Sequence, residues 1–422
     1  MSVFETSVQI FLAPVMQFLK DDSVTEIMIN GPQTIFIERC GFIERVNAKF
    51  EDEASLMAAV RNISQFVGRP IDDEHPFLDA RLPDGSRLHA IVNPIARNGT
   101  TVTIRKFSKE KLTLKDLMSR GAITGEAAKF LDVCIYLKKN IMIAGGTGSG
   151  KTTLLGILAS RCPADQRIIV LEDSSELKIH NGHVVSFEGR PANEFGKGQV
   201  TLRDLVKSSL RLRPDRVIVG EVRGGEALDL ISSMNTGHSG SMGTVHANNP
   251  RECLTRLETL ALLTDAEVPV QAVRAQVASA IQIIAQLSRM QDGSRKLTHL
   301  SEGLGMDLQG NYRTQDIYLF EQMGRDKDGR VIGSLLPTGN IPSFIREIEV
   351  NHLPFPKELF QRKRVSNSGQ GTGKSGVAES SSPAENGSGA NPNETPSPST
   401  GGGTEHKGSG SSGPVKSEPH AA

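Results

Sequence analysis

The chain has no tryptophan and only 3 tyrosines among 422 residues. Proteins that track single-stranded nucleic acid stack bases on aromatic side chains along a basic groove. The basic groove is missing from the composition too, because 48 basic residues are balanced by 48 acidic ones. No cationic surplus therefore marks a nucleic-acid surface. Cysteine is equally sparse: Cys40, Cys134, Cys162 and Cys253 lie far apart and form no C-x-x-C pair. That spacing argues against a disulfide framework or a zinc module and fits free thiols in a reducing compartment, buried as small hydrophobes. Long apolar runs are also lacking. The apolar uncharged stretches Thr6 to Leu19 and Ala275 to Ser288 are too short to span a bilayer, and the first contains Pro14. Acidic Glu5 stands where a signal peptide would carry basic residues. The expected location is the cytoplasm, with any membrane association made through partners.

What remains is an ordinary balance of apolar and charged residues in a chain long enough for two folded domains. Residues 1–105 read as a smaller α/β domain. Phe4, Val8, Phe11, Leu12, Val15, Phe18 and Leu19 recur at helical spacing and suggest a packing face. Short β-rich runs follow at Glu26–Asn30, Thr34–Glu38 and Phe42–Val46, then a helix over Glu53–Phe66, a turn at Arg81–Arg87, and strands at Leu88–Val92 and Thr101–Arg105. Residues 106–123 read as a linker. Over 124–365 helices alternate with short buried strands at Ile141–Ala144, Ile168–Leu171 and Val217–Val219, the pattern of a parallel sheet covered on both faces. Residues 366–422 are rich in Gly, Ser and Pro and contain no aromatic residue. Such a segment cannot bury enough apolar surface to offset its ordering entropy, so a disordered tail is expected.

The most specific motif is Gly145, Gly146, Thr147, Gly148, Ser149, Gly150, Lys151 and Thr152, a full match to G-x-x-x-x-G-K-[ST]. A buried strand precedes it and an apolar-periodic helix, beginning with Thr152 and Thr153, follows. Glycines let backbone N–H groups turn toward phosphates, and the helix N-terminus adds a positive partial charge. Lys151 places a point charge on the β/γ phosphates, and the Thr152 hydroxyl is the expected Mg²⁺ ligand. A nucleoside triphosphate is the expected ligand.

No N-K-x-D guanine motif and no nucleotide-kinase lid accompany the loop. Instead, Ile168–Asp173 is a buried strand ending in two carboxylates, Glu172 and Asp173, and Arg216–Arg223 contains a second, ending in Glu221. Carboxyl ends of parallel strands face the ligand, where acids can hold Mg²⁺ through water or orient an attacking water. A third strand candidate, Gly240–His246, ends in His246, with His238 just before it. One histidine alone is usually structural; two beside such a strand suggest a phosphate or water sensor.

Taken in order, Gly145–Thr152, Val170–Leu177, Arg213–Glu226 and Thr236–Asn248 resemble the Walker A, Asp box, Walker B and His box of the type II/type IV secretion ATPase superfamily. Asp79–Arg87, Thr103–Phe107 and Asp328–Gly333 resemble its Tad/Flp pilus branch, the CpaF-like ATPases. The likeness spans most of residues 20–362. It implies an α/β fold in which a RecA-like P-loop domain follows a smaller α/β N-terminal domain, assembled as a homohexamer with ATP and Mg²⁺ between the two domains. In such a site Glu221 would polarise water, Glu172 would help hold water and Mg²⁺, and His246 would report the γ-phosphate. Arg105 would contact phosphate. Arg203, Arg211, Arg213 and Arg216 are further candidates for contacts across subunits. Val219-Gly220-Glu221 carries no aspartate before the glutamate, which leaves Mg²⁺ to Thr152 and water-mediated contacts. The implied function is ATP-driven interdomain motion that powers pilus assembly or secretion through an inner-membrane platform protein. The alternatives are a nucleic-acid-translocating motor of a DNA-transfer system and an ATP-gated scaffold.

Overall fold

The computed structural model describes residues 2–39, 41–107, 112–193, 195–264 and 267–362. The tail over 366–422, Cys40 and part of the 106–123 segment fall outside these residues.

The first sheet is antiparallel, with β1 (Val24–Asn30), β2 (Ile35–Arg39), β3 (Phe42–Val46), β4 (Phe77–Arg81), β5 (Arg87–Ile91) and β6 (Thr101–Arg105) in the order β3-β2-β1-β6-β5-β4. Alternation places Ile27, Ile37, Leu88 and Ile104 on one face, where they are buried. Helix α3 (Glu53–Val67) covers that face with Leu56, Ala59, Val60 and Ile63, the i, i+3, i+4, i+7 set of an amphipathic helix. Its ends are specified chemically. Asp52 accepts from the Ser55 N–H at 2.8 Å, and Gly68 stops the helix in the left-handed region at φ 66°.

The amino-terminal segment departs from the continuous packing face that its spacing suggests. It breaks into α1 (Val3–Phe11), a 3-10 turn at Ala13–Val15 and α2 (Met16–Lys20). Pro14 lacks the N–H a continuous helix needs, so the chain re-aims there. Val8, Leu12 and Val15 reach the core, while Phe11 stays 37% exposed.

After α4 (Leu114–Ser119) and α5 (Gly125–Tyr136) comes the second sheet, of nine strands. Its parallel part holds β7 (Ile141–Gly145), β8 (Ile168–Glu172), β9 (Val184–Glu188), β10 (Arg216–Val219), β11 (Met242–Val245) and β12 (Ile283–Arg289), in the order β12-β7-β11-β10-β8-β9. Along β7, Ile141 and Ile143 enter one core and Met142 and Ala144 the other. The first core is completed by α5 and α6 (Lys151–Ala159). The second is completed by α7 (Leu202–Ser209), α8 (Glu226–Asn235), α9 (Pro250–Leu262) and α10 (Val270–Ala280). This is the wound α/β layering expected of the P-loop segment. Three antiparallel strands, β13 (Arg295–Met306), β14 (Tyr312–Arg325) and β15 (Val331–Pro337), extend the sheet beyond β12, and α11 (Ile345–Val350) follows. Cys134, Cys162 and Cys253 are free and buried.

Candidate active site

β7, the central strand of the nine, delivers the chain to the P-loop between β12 and β11. A Cβ on Gly145 would lie 2.5 Å from the Leu287 carbonyl oxygen and 2.6 Å from Ser149 Oγ, so only glycine lets β12 pack against this exit. Gly148 and Gly150 adopt φ 68° and 96°, and Gly150 is the N-cap of α6. Lys151, the first residue of α6, curls back so that Nζ donates to the Gly146 carbonyl at 3.0 Å; Ser149 Oγ donates to the same oxygen at 2.9 Å. Gly146, Thr147 and Thr153 are exposed, and Thr152 is half-buried. Burial, helped by the positive charges of Arg105 and Arg223, pulls the Lys151 pKa down, with Glu221 opposing.

The neighbouring strands end at the same level. Gly220 N–H donates to the Leu171 carbonyl, Val222 N–H donates to the Thr244 carbonyl, and Thr244 Oγ1 donates to the Gly220 carbonyl, all at 2.7–2.8 Å. These bonds bring Glu221 and His246 together: His246 Nε2 is 2.9 Å from Glu221 Oε1 and 3.3 Å from Lys151 Nζ. One ring nitrogen cannot donate to a carboxylate and accept from an ammonium at once. The shorter contact and the obligate acceptor assign the Nε2 proton to the Glu221 bond. The other Glu221 oxygen takes Arg223 Nη2 at 2.6 Å. Burial alone would raise the Glu221 pKa, but Arg223, His246 and Lys151 outweigh it and hold the carboxyl below its ordinary value. Burial and then Lys151 pull the His246 pKa down and favour the neutral ring, with Glu221 opposing.

Glu172 is nearly enclosed, at 4% exposure. Its Oε1 accepts from the N–H groups of Glu176 and Leu177 at 2.8 and 2.9 Å, and so shapes the loop after β8. Burial still raises its pKa over those two bonds. A Cβ on Gly220 would sit 2.9 Å from Glu172 Cγ, which explains the small residue before Glu221.

Beside α6 a cavity of about 450 Å³ opens, lined by Arg87, Arg105, Thr152, Thr153, Glu176 and Lys178 among others. Its walls come from the first sheet on one side and from α6 and the loop after β8 on the other. Cross-strand register places Glu38, Glu26, Arg105, Arg87 and Arg81 in one row on the face of the first sheet opposite its core. Arg81 donates to Ser174 Oγ and the Ser175 carbonyl, both at 3.0 Å, and pairs with Glu188. Arg87 meets Glu176 at 2.7 Å. Arg105 is held only loosely, 3.8 Å from Glu176 and with its side chain 55% exposed.

The secondary candidates separate. Arg216 is fully buried, and its guanidinium donates to Gln166 Oε1, the Gly240 carbonyl and the Ile135 carbonyl. It is a structural pin between β10 and its surroundings and cannot make the cross-subunit contact expected of it. Arg203 pairs with Asp229 of α8, whereas Arg211 and Arg213 are exposed. His238 lies before β11, at the opposite end from His246, so the strand separates them by on the order of 10 Å or more. The two histidines do not share a site within one chain.

Arg223, Arg289 and Arg295 were not singled out from the sequence. For Arg223 a clue was present: it is two residues after Glu221 in an extended segment, and i and i+2 share a side. The other two come from β12 and β13, over 130 residues from the P-loop in sequence, where no local pattern connects them. Among the described residues no cluster of three acidic, histidine or cysteine side chains could cage a metal. Mg²⁺ at a P-loop takes one or two protein oxygens and completes its shell with phosphates and water. Thr152, on the cavity wall, fits that role.

Residues 10–325 match the model of a family described as type II/IV secretion system protein. The chain is 32% identical over 327 residues to the type IV secretion system protein VirB11 of Brucella suis biovar 1, spanning 70% of this chain and 89% of that one. It is 34% identical over 281 residues to the conjugal transfer protein TrbB of Rhizobium radiobacter, spanning 66% and 83%. Among solved structures it resembles the VirB11 ATPase from the Brucella suis type IV secretion system, at 30% identity and a TM-score of 0.38, covering 70% of this chain and 94% of that chain.

Proposed function

This chain belongs to the type II/IV secretion system protein family, and on that premise we propose that it is a Mg²⁺-dependent ATP hydrolase, a hexameric motor for Tad/Flp-like pilus assembly or type II/IV secretion. The observation that carries the hydrolase reading is the contact set around Glu221: one oxygen against His246, the other against Arg223, with Lys151 3.3 Å from the same histidine nitrogen. A glutamate kept ionised beside a P-loop lysine can accept a hydrogen bond from water and aim it at the γ-phosphorus.

In this proposal the P-loop N–H groups and Lys151 hold the phosphates. Thr152 and the nucleotide would hold Mg²⁺, which would supply charge neutralisation. Both Glu221 oxygens accept from protein groups and each keeps a further lone pair, so a water near the γ-phosphate can share Oε1 with His246 or exchange with it. That exchange makes His246 a reporter of phosphate occupancy. Glu172 holds the loop that carries Glu176 and would support the metal through water. Arg105, the loosest member of its charge row, is free to turn toward phosphate. Because Arg81, Arg87 and Arg105 bring the first sheet onto loops at the edge of the second, a change at the phosphates becomes motion of one sheet against the other. In a ring, that motion would be passed to an inner-membrane platform protein. No helix among the described residues is long and apolar enough to cross a membrane.

The conjugal transfer protein among the relatives favours a second reading, a motor that moves DNA. Steady-state ATP turnover measured with and without single-stranded DNA separates the two. A rate indifferent to DNA is expected of a pilus or protein-secretion motor; stimulation that saturates with DNA would transfer the assignment to DNA translocation.

A further inference from the structure

Two arginines outside every recognised motif reach the P-loop from the antiparallel side of the second sheet. Arg295, at the start of β13, donates Nε to the Gly148 carbonyl at 2.8 Å. In a phosphate-binding loop the N–H groups point inward and the carbonyls outward, so Arg295 braces the outer surface of the loop rather than the phosphate side. Arg289, at the end of β12, is its cross-strand partner. A Cβ placed on Gly148 would lie 3.4 Å from Arg289 Nη1, which puts that guanidinium against the same loop. The other Arg289 nitrogen, Nη2, lies 2.7 Å from the buried Glu38 Oε1 of β2, an ion pair without hydrogen-bond alignment, and donates to the Gly41 carbonyl. Glu38 is itself steadied by the Thr25 hydroxyl, 2.8 Å from Oε2, and its side chain is only 13% exposed.

Glu38 closes the same cross-strand row that carries Arg105, Arg87 and Arg81. The row therefore meets the second sheet at both ends with opposite charge. Its cationic end rests on Glu176 and Glu188, and its acidic end rests on Arg289. Arg105, Arg120 and Arg289 surround Arg295 with like charge, and Glu38 is the opposing charge. Removing the Glu38 charge would therefore leave the arginines repelling one another beside the P-loop.

We propose that Arg289 and Arg295 are positioning residues that brace the outer face of the P-loop against Glu38 of the first sheet, so that the phosphate cradle and the Arg105 row are set by one clamp. The inference rests on the P-loop being the nucleotide site. It adds a physical link between that loop and the first sheet which does not pass through the nucleotide.

Hydrogen exchange of the nucleotide-free full chain, read by mass spectrometry on peptides covering 145–155, tests the link without any turnover. Glu38→Gln keeps the side-chain shape and removes the charge. It is expected to speed exchange in the P-loop peptides about fivefold, the factor given by about 1 kcal/mol of local stability, while peptides of α9 stay unchanged. Arg295→Gln should do the same, and Glu38→Gln combined with Arg289→Gln should add little beyond either alone. Apparent nucleotide affinity should fall with each. A folded Glu38→Gln protein whose P-loop peptides exchange at the wild-type rate would overturn the brace, even if Arg295→Gln loosens the loop. A chain that shows the exchange effect yet hydrolyses no ATP would leave the brace standing and remove the hydrolase reading.

Discussion

At the scale of single residues, the site depends on one carboxylate held ionised against its burial. The Glu221 pKa lies below the ordinary glutamate value, because Arg223, His246 and Lys151 outweigh the burial that would raise it. A carboxylate depressed in the folded state contributes stability that is fully present above its unfolded pKa and lost as pH falls through the folded one. If Glu221 orients the attacking water, as proposed, the same ionisation governs activity, and the acid limb of turnover that belongs to it should lie below the ordinary glutamate range. Arg223→Gln removes the principal group that lowers the pKa and leaves the burial that raises it. The acid limb in a pH–rate profile of this variant should move to higher pH; an unmoved limb would detach Arg223 from the chemistry. The sequence made Glu221 and His246 legible because both end short apolar strands beside a P-loop. It could not reveal that His238 stands at the other end of β11, since the loop before the strand hides where the strand begins. Nor could it reveal Arg216 as a buried pin: an arginine before an apolar run looks the same whether its partners are carbonyls or water.

At the scale of elements, strands with two buried faces were readable because four or five consecutive apolar residues leave little else for a short segment to be. The P-loop was readable for a different reason: its glycines are needed where the backbone turns left-handed or another strand presses close. Gly150, the N-cap of α6 at φ 96°, shows this directly. Gly150→Ala should strain the cap by about 1–2 kcal/mol and tilt the first turn of α6, weakening nucleotide binding about tenfold or more. Isothermal titration with a non-hydrolysable ATP analogue would measure it, and an unchanged affinity would show that the cap geometry is not needed for binding. The antiparallel extension was not readable. β13 and β14 run for 12 and 14 residues with register shifts on both sides. Gly303 pairs so tightly that a Cβ would fall 2.4 Å from the Ile281 carbonyl. Bulged, half-buried strands of this kind break the strict alternation on which a sequence reading relies. They matter here because β12 and β13 carry Arg289 and Arg295.

At the scale of the whole molecule, the α/β class and the order of the motifs followed from the sequence, whereas the way one sheet lies on the other did not. That arrangement depends on a row of five charges that are distant in the chain and become adjacent only through antiparallel register. Each side chain looks like an ordinary surface charge until Glu38 meets Arg289 and Arg87 meets Glu176. The row links the first sheet to the phosphate loop at one end and to the loop shaped by Glu172 at the other, with Arg105 between them. In the proposed motor this row would be the mechanical path from the phosphates to the first sheet.

The central claim, that this constellation binds ATP through Lys151 and hydrolyses it through Glu221, is tested most directly by measuring nucleotide affinity and Mg²⁺-dependent ATP turnover together. The two measurements would be made on the wild type, Lys151→Ala and Glu221→Gln. The account predicts that Lys151→Ala loses both binding and turnover. Glu221→Gln should bind ATP as the wild type does while turnover falls by about two orders of magnitude or more. A Glu221→Gln protein that turns over ATP at the wild-type rate would contradict it.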